Sequence, residues 1–146
     1  MATCDLIHVS VPAHEPDRSA ALAELRQILA GFPNGAFAEV TVDLDPFPAL
    51  LALVNGEQAC LTCIRYEGDP GFSSRNPGYR GPAGATIRYM LSNGQVDEYP
   101  AAWAYSRQRV FEALEAFART RRVPETIAWF NDAGDGSQLP GDGNGT

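Results

Sequence analysis

The sequence predicts an α+β domain in which two helices pack on one face of a mainly antiparallel sheet. Three observations lead to this fold class. Several short segments alternate between apolar and polar residues, two longer segments repeat apolar residues every three or four positions, and two Asn-Gly pairs separate neighbouring apolar runs. The predicted order is β-α-β-β-β, a long loop, then β-β-α-β, and the helices and the sheet make two layers.

The first strand and the first helix follow from two different spacings. Residues Asp5 to Val11 alternate in polarity, which is typical of a half-buried strand. Asp17 then stands where an N-cap residue is expected, and Gly31 stands where a helix ends. Between them a single apolar stripe is formed by Leu22, Leu25, Ile28 and Leu29.

Three further strands are predicted before residue 67. Phe37 to Leu44 alternates, whereas Ala49 to Val54 is apolar throughout, as in a strand that is covered on both faces. The pair Asn55-Gly56 is a strong hairpin signal, because both residues tolerate a positive φ. Gln58 to Tyr66 is therefore predicted as the returning strand.

The segment from Gly68 to Gly84 is predicted as a long loop. It contains five glycines and three prolines in 17 residues, and at that density we expect neither helix nor strand. Loops of this length are uncommon inside compact domains and are often functional.

The remaining elements are a hairpin, a helix and a last strand. Asn93-Gly94 joins a strand from Ala85 to Leu91 with its return from Gln95 to Tyr99. Ser106 is expected to cap the second helix, and Thr126 to Phe130 is the last strand. The apolar stripe of the second helix is Val110, Leu114 and Phe117.

Composition and charge limit the classes of function. The chain has 146 residues, of which 45% are hydrophobic, so we expect one domain over residues 1–132 and a flexible Gly-rich tail over 133–146. The formal net charge is −7, and a negative surface repels phosphate groups. We therefore expect no direct contact with nucleic acid or membranes, and the charge suits a basic protein partner. The N-terminus does not resemble a signal peptide and only three cysteines are present, which predicts a cytoplasmic protein.

Cysteines and histidines form no complete catalytic or metal-binding set in the sequence. Cys60 and Cys63 are three apart in a predicted strand, so they point to opposite faces and cannot chelate one zinc ion. We expect them to be structural and half-buried, and His8 and His14 to lie on the surface. Sequence distance alone leaves a Cys-His or Ser-His pair open. The prediction is a protein without cofactor, metal or catalytic residues.

Aromatic and arginine residues in and after the long loop are the candidates for partner binding. Such side chains dominate the hot spots of protein interfaces, and neighbouring carboxylates would favour a basic partner. The alternative that Phe72 and Tyr79 pack on the core stays open. The predicted partner-binding residues are Glu67, Asp69, Phe72, Arg75, Tyr79, Arg80, Asp97, Glu98, Trp103 and Tyr105.

The second half of the chain carries a specific set of motifs. One is ATIRYMLSNGQVDEYP, a strand with an Asn-Gly turn whose return ends in Tyr-Pro. Another is VFEALEAFARTRRVPETIAWFND, an ALxxF helix followed by a basic segment, a proline and a strand with Trp129. Upstream, CLTCIRYEGDPGFSS runs from a strand into an Asp-Pro-Gly-Phe loop. Together, from about Leu50 to Asp132, they resemble the immunity-protein family one of bacterial polymorphic toxin systems.

This resemblance implies a small cytosolic protein that binds and neutralises a cognate toxin domain. The toxins associated with such proteins are often enzymes that act on nucleic acid, deaminases among them. The resemblance supplies no catalytic residues and does not locate the interface. An acidic inhibitor is suited to occupy the positive groove of such an enzyme.

Two other classes of function remain open from the sequence. One is a binding module without an immunity role, such as an adaptor or a secretion chaperone. The other is a small enzyme that uses His8 or His14 with a cysteine or a carboxylate. The sequence favours a binding protein, because no set of nucleophile, base and orienting residue can be assembled from it.

Overall fold

A computed structural model of the chain describes residues 4–33 and 37–139. Within these residues it contains two α-helices and nine strands, which confirms the predicted α+β class. The helices are α1 (Asp17–Ala30) and α2 (Arg107–Thr120), and a 3₁₀ turn spans Ala101–Trp103. The strands are β1 (Cys4–Ser10), β2 (Phe37–Asp43), β3 (Ala49–Asn55), β4 (Gln58–Ile64), β5 (Phe72–Arg75), β6 (Thr86–Met90), β7 (Val96–Pro100), β8 (Tyr105–Ser106) and β9 (Ala128–Asn131).

Seven strands form the main sheet, in the order β1-β2-β3-β4-β5-β9, with the short β8 also paired to β4. Only β1 and β2 run parallel, and the other pairs in this sheet are antiparallel. A parallel pair needs a crossover connection, which helix α1 supplies. The sheet is therefore mainly antiparallel, as predicted.

Both helices cover the same face of the main sheet. Leu25 of α1 and Leu114 of α2 are fully buried in the same core cluster as Val40 of β2 and Leu50 of β3. The predicted stripes of both helices supply these contacts, and the stripe of α2 ends on Phe117, which is also fully buried. None of the helices in residues 4–33 and 37–139 is long and apolar enough to cross a membrane.

The opposite face of the sheet is covered only in part, by the hairpin β6–β7. Leu53 and Cys60 on the sheet form a small second cluster with Tyr89 of the hairpin. The prediction that β3 is covered on both faces is confirmed, but the predicted two-layer arrangement is incomplete. Strands β6 and β7 leave the main sheet and form a partial third layer, because the second face of β3 and β4 is apolar as well.

The two inner cysteines occupy opposite sides of this sheet, as their spacing predicted. Cys60 belongs to the cluster under the hairpin, whereas Cys63 belongs to the larger core under the helices. Both are buried rather than half-buried, and all three cysteines are free thiols.

The predicted loop from Gly68 to Gly84 contains a strand, which corrects the sequence analysis. Strand β5 pairs with β4 on one side and with β9 on the other. Its four residues lie between glycines and prolines but contain none, so the backbone is free to pair. Gly71 directly before it has a φ of +83°, and a Cβ there would lie 2.5 Å from the carbonyl oxygen of Cys63. The glycine and proline content of this segment therefore predicts its turns. It does not predict β5, because that strand forms by pairing with strands that are distant in the sequence.

Helix capping follows the prediction at α2 but not at α1. Ser106 accepts a hydrogen bond from the backbone nitrogen of Arg109, 3.2 Å away. The prediction for Asp17 is wrong, because Pro16 occupies the N-cap position and no side chain caps the helix there. Glu15 instead accepts a hydrogen bond from the backbone nitrogen of Ser19 at 2.9 Å, and so satisfies a first-turn amide from outside the helix.

The first part of the predicted tail packs on the domain. Ser137 accepts a hydrogen bond from the Arg65 guanidinium, Asn131 binds Asp135, and Leu139 is buried in the main core. In the described residues the packed chain thus extends past residue 132 to residue 139. The rest of the predicted tail, 140–146, lies outside the described residues.

Arg121 closes α2 and ties it to the ends of two strands. It has a φ of +60°, and its guanidinium donates to the carbonyl oxygens of Val11 at 2.6 Å, Pro12 at 3.0 Å and Leu44 at 2.9 Å. One cation therefore satisfies three backbone acceptors where β1, β2 and α2 end.

We predict that Arg121→Ala lowers the free energy of unfolding by about 2–4 kcal/mol, because charge-assisted hydrogen bonds to three carbonyls are lost. Arg121→Gly should be less destabilising than Arg121→Ala, by about 1 kcal/mol, because glycine adopts a positive φ without strain. Urea unfolding followed by circular dichroism measures both. The matched control is Arg122→Ala, at an exposed neighbour, with an expected change within about 0.5 kcal/mol. Equal stability of the 121 and 122 variants would contradict the assignment.

Candidate functional site

An open groove lies between the hairpin β6–β7 and the part of the main sheet that the hairpin leaves uncovered. Its volume is about 440 Å³, which is within the range of ligand and side-chain pockets. Its floor comes from strands β3 to β5, and its walls come from the hairpin, the 3₁₀ turn and the end of β9. The residues that line it include Leu51, Leu53, Thr62, Ser73, Leu91, Asp97, Tyr99, Trp103 and Asp132.

A stack of rings with one arginine stands at the edge of this groove. The guanidinium carbon of Arg75 lies 3.8 Å from the ring centroid of Trp103 and 4.5 Å from that of Phe130. Trp103 in turn stacks on Tyr99, with centroids 5.6 Å apart and an interplanar angle of 25°. Attraction between the cation and both rings stabilises this arrangement. Phe130 is nevertheless 52% exposed.

Hydrogen bonds from β5 and the residue after it hold the 3₁₀ turn in place under the stack. The hydroxyl of Ser74, which is fully buried, donates to the carbonyl oxygen of Trp103 at 2.8 Å. The backbone nitrogen of Asn76 donates to the carbonyl of Ala102 at 2.8 Å, and its side-chain amide donates to that of Ala104 at 2.9 Å. The position of the Trp103 ring is therefore fixed by the backbone of a neighbouring segment.

Tyr105 supports the stack from below. Its buried hydroxyl donates to the carbonyl oxygen of Arg75 at 2.5 Å and accepts from the backbone nitrogen of Ala128 at 3.0 Å. One hydroxyl thereby joins strands β5 and β9 beside Arg75 and Phe130. The stack is built on rigid elements and needs little ordering when it contacts another molecule.

Charged groups at the groove are mainly acidic. An oxygen of Asp132 lies 4.0 Å from a guanidinium nitrogen of Arg75, and the side chain of Asp97 is 3.4 Å from the Tyr99 hydroxyl. Burial lowers the pKa of Arg75, although Asp132 acts in the opposite direction. Burial also raises the pKa of the Tyr99 phenol, and the carboxylate of Asp97 raises it further.

The structure brings together three of the ten predicted partner-binding residues. Arg75, Trp103 and Asp97 all lie at the groove, although they are far apart in the sequence. Glu98 is the neighbour of Asp97 but points to the outer side of the hairpin, where it pairs with Arg88 at 3.7 Å.

Three other predicted residues are buried and support the fold. Phe72 is 3% exposed and Tyr105 is 3% exposed, so neither side chain is open to a partner in this conformation. The alternative reading of Phe72, as a residue that packs on the core, is the correct one. Asp69 is also buried, and its carboxylate receives the guanidinium of Arg65 at 2.7 and 2.8 Å.

The remaining predicted residues lie on surface segments outside the groove lining. Tyr79 and Arg80 lie on the loop after β5, where the Tyr79 hydroxyl donates to the carbonyl of Pro82 at 2.8 Å. Arg80 is exposed and donates to the carbonyl of Pro77 at 3.2 Å. Glu67 is exposed in the turn after β4. Their role in binding remains a prediction.

Sequence reasoning missed Phe130, Tyr99 and Asp132 as parts of the site. A signal for Phe130 was present, because alternation along a strand places its side chain opposite to those of Ile127 and Trp129. Ile127 is buried in the main core and Trp129 is partly buried against it. Continuing the same alternation by two residues would have placed the side chain of Asp132 on the same side as that of Phe130.

The described histidines and cysteines do not form a nucleophile with a base. His8 is exposed and its ring lies 2.5 Å from Asp43, which also accepts from the hydroxyl of Ser10. Burial raises the pKa of the Cys60 thiol to about 11 and that of Cys63 to about 12, so both are protonated at neutral pH. Among residues 4–33 and 37–139 there is also no group of three or more possible metal ligands.

In a comparison with protein families, residues 12–131 match the model of the immunity protein family Imm1. The matched region covers most of the chain, from the segment before α1 to the end of β9. The chain belongs to the Imm1 family. The resemblance seen in the second half of the sequence is thereby confirmed, and the family extends further toward the N-terminus than those motifs did.

A comparison with curated proteins finds no match. Family membership gives this Imm1 protein an immunity role and implies a toxin as its protein partner.

The Arg65–Asp69 pair generates a prediction about pH. Hydrogen bonds from Arg65 lower the pKa of Asp69 to about 2, below its usual 3.8, and backbone amides of Arg65 and Gly71 add to the effect. A carboxyl with a lowered folded-state pKa stabilises the fold above its unfolded pKa, and this stabilisation is lost as the pH falls from about 4 to about 2. We expect Asp69→Asn to be less stable than the wild type at pH 7 and to lose less stability over that acid range.

Urea unfolding between pH 2 and pH 7 tests this expectation. The control is Glu67→Gln, which neutralises an exposed carboxyl two residues away and should leave the acid profile close to wild type. The assignment fails if Asp69→Asn and the wild type lose the same stability between pH 4 and pH 2.

Proposed function

We propose that this Imm1 protein neutralises a cognate toxin domain by direct contact through the groove and the stack beside it. The observation that carries the proposal is the Arg75–Trp103–Phe130 stack at the edge of an open groove, in which Phe130 is exposed and the other two side chains are partly exposed. Large aromatic side chains and arginine supply most of the binding energy in protein interfaces. A monomeric protein without a partner has no evident reason to present them together on its surface.

The rigidity of this face also favours a role in binding. Ser74, Asn76 and Tyr105 fix the backbone on which Trp103 and Arg75 stand. Side chains that are already ordered lose little conformational entropy when a partner docks, so more of the contact energy remains as affinity. We therefore place the centre of the interface at the stack.

Acidic residues around this face suit a toxin with a basic surface. The chain carries a net charge of −7, and Asp97, Glu98 and Glu67 are on or near the hairpin and the turn after β4. An enzyme that acts on nucleic acid, such as a deaminase, needs a positive substrate groove. Opposite charges would accelerate the encounter, and the inhibitor would compete with nucleic acid for the same surface. We include Tyr79 and Arg80 at the rim of this interface.

We propose a structural role, and no direct contact with the toxin, for three of the predicted residues: Asp69, Phe72 and Tyr105. Each is buried, and each holds a segment that carries an exposed member of the face. Substituting them is expected to act through stability, whereas substituting the exposed residues is expected to act on affinity.

We predict that Arg75→Ala and Phe130→Ala each weaken toxin binding at least tenfold, because each removes one layer of the stack. The toxin domain encoded beside the gene serves as partner, with survival on co-expression and a calorimetric Kd as readouts. The matched control is Arg26→Ala, an arginine on the helix side that pairs with Glu115 at 2.7 Å. Thermal unfolding confirms that each variant is folded.

Two outcomes would contradict this assignment. Unchanged affinity of the stack variants would exclude this face, and loss of binding in Arg26→Ala alone would move the interface to the helices. Failure of every neighbouring toxin to bind the wild type would instead favour an adaptor or chaperone role.

We further predict that the double variant His8→Ala and His14→Ala protects the cell as well as the wild type does. Protection by binding needs no general base, whereas a His-dependent enzyme would lose its activity. Survival of cells that co-express the toxin is the measurement, with empty vector as the negative control. Loss of protection in a folded double variant would support catalysis.

A further inference from the structure

We propose that the groove receives a lysine or arginine side chain of the toxin, held by the carboxylates of Asp97 and Asp132. This inference rests on the proposed function and makes it more specific, because it names the chemistry of the group that enters the groove. Both carboxylates line the groove, and none of the described residues that line it is basic.

The two carboxylates come from different elements. Asp97 belongs to β7 of the hairpin, whereas Asp132 directly follows β9 at the edge of the main sheet. Asp132 lies 4.0 Å from Arg75, and the Phe130 ring lies 4.5 Å from the same guanidinium, so the second carboxylate stands next to the stack. A cation in the groove would thus be contacted from both the hairpin and the sheet.

Both carboxylates retain capacity to accept hydrogen bonds. An ionised carboxylate offers about four acceptor positions. Asp97 accepts from the side-chain amide of Gln95 at 2.8 Å and from the Tyr99 hydroxyl at the longer distance of 3.4 Å. Asp132 has Arg75 at 4.0 Å, but that guanidinium is held by the two rings and by Ser73 at 2.8 Å, and Asp132 remains 31% exposed.

The floor of the groove fits the rest of such a side chain. Leu51 and Leu53 on β3 and Leu91 after β6 form an apolar surface. The aliphatic stems of lysine and arginine pack on surfaces of this kind, while their charged ends stay with polar groups. The groove therefore offers an apolar path that ends at two negative charges.

Desolvation decides between a basic and an apolar occupant. A partner that covers the groove removes water from Asp97 and Asp132, and a buried carboxylate without a cation is costly. An apolar side chain would leave Asp97 without a cation, and would leave Asp132 with only the Arg75 guanidinium at 4.0 Å. A lysine or arginine compensates them with charge-assisted hydrogen bonds, which are stronger than neutral ones.

The test uses the double variant Asp97→Asn and Asp132→Asn, which keeps size and removes both charges. Its Kd for the toxin domain is measured by calorimetry between 50 and 500 mM salt, values on the scale over which screening changes appreciably. We expect at least fiftyfold weaker binding at low salt and a flatter dependence on salt. The matched control is Glu24→Gln, which neutralises an exposed carboxyl of α1 on the helix-covered side of the sheet, with less than a threefold change expected.

A scan of the toxin completes the test. One lysine or arginine of the toxin should, when changed to alanine, lose affinity to a similar extent. This alanine variant of the toxin should lose little further affinity when it is measured against the double variant Asp97→Asn and Asp132→Asn, because the contact between the basic side chain and the carboxylates is already absent. If the double variant binds like the wild type while Phe130→Ala does not, this inference is wrong and the proposed function stands. If neither variant affects a toxin that binds the wild type, both are wrong.

Discussion

Strands β3 and β4 carry apolar side chains on both faces, and this constraint determines how the rest of the chain is arranged. Leu50 and Leu53 point to opposite sides of the sheet, and each is buried by a different layer. Exposing either face to water would cost about 25 cal/mol for each Å² of apolar surface. Within the described part of the chain, one face is covered by two 14-residue helices, and the other only by a hairpin of two five-residue strands.

The groove is a direct result of this unequal cover. A hairpin of that size reaches across β3 but leaves the groove side of β5 and β9 open, where Ser73, Arg75 and Phe130 emerge. The 3₁₀ turn then brings Trp103 over Arg75, and the exposed edge of the sheet becomes a surface of rings and one cation. The groove and the stack beside it therefore form on the part of the sheet that the hairpin leaves uncovered.

Local patterns predicted the elements of this fold better than its site. Alternation and helical spacing depend only on neighbours in the chain, so β2, β3, α2 and both hairpins were accessible from the sequence. Strand β5 was not, because its pairing depends on β4 and β9, which lie far away in the sequence. The site likewise depends on the tertiary arrangement. Residue type was enough to single out Arg75 and Trp103. It could not separate exposed Phe130 from buried Phe72, because the burial of each depends on which face of its strand it occupies.

The hairpin β6–β7 also differs from the helices in how firmly it is attached. It meets the sheet through the small cluster of Leu53, Cys60 and Tyr89 and through hydrogen bonds such as that from Asn55 to the Arg88 carbonyl. Segments with few buried apolar contacts are the first to open by local unfolding. We therefore expect the hairpin to open before the helix-covered core in local unfolding. A molecule bound across both walls would hold the hairpin on the sheet, and part of its binding energy would appear as added stability of the hairpin alone.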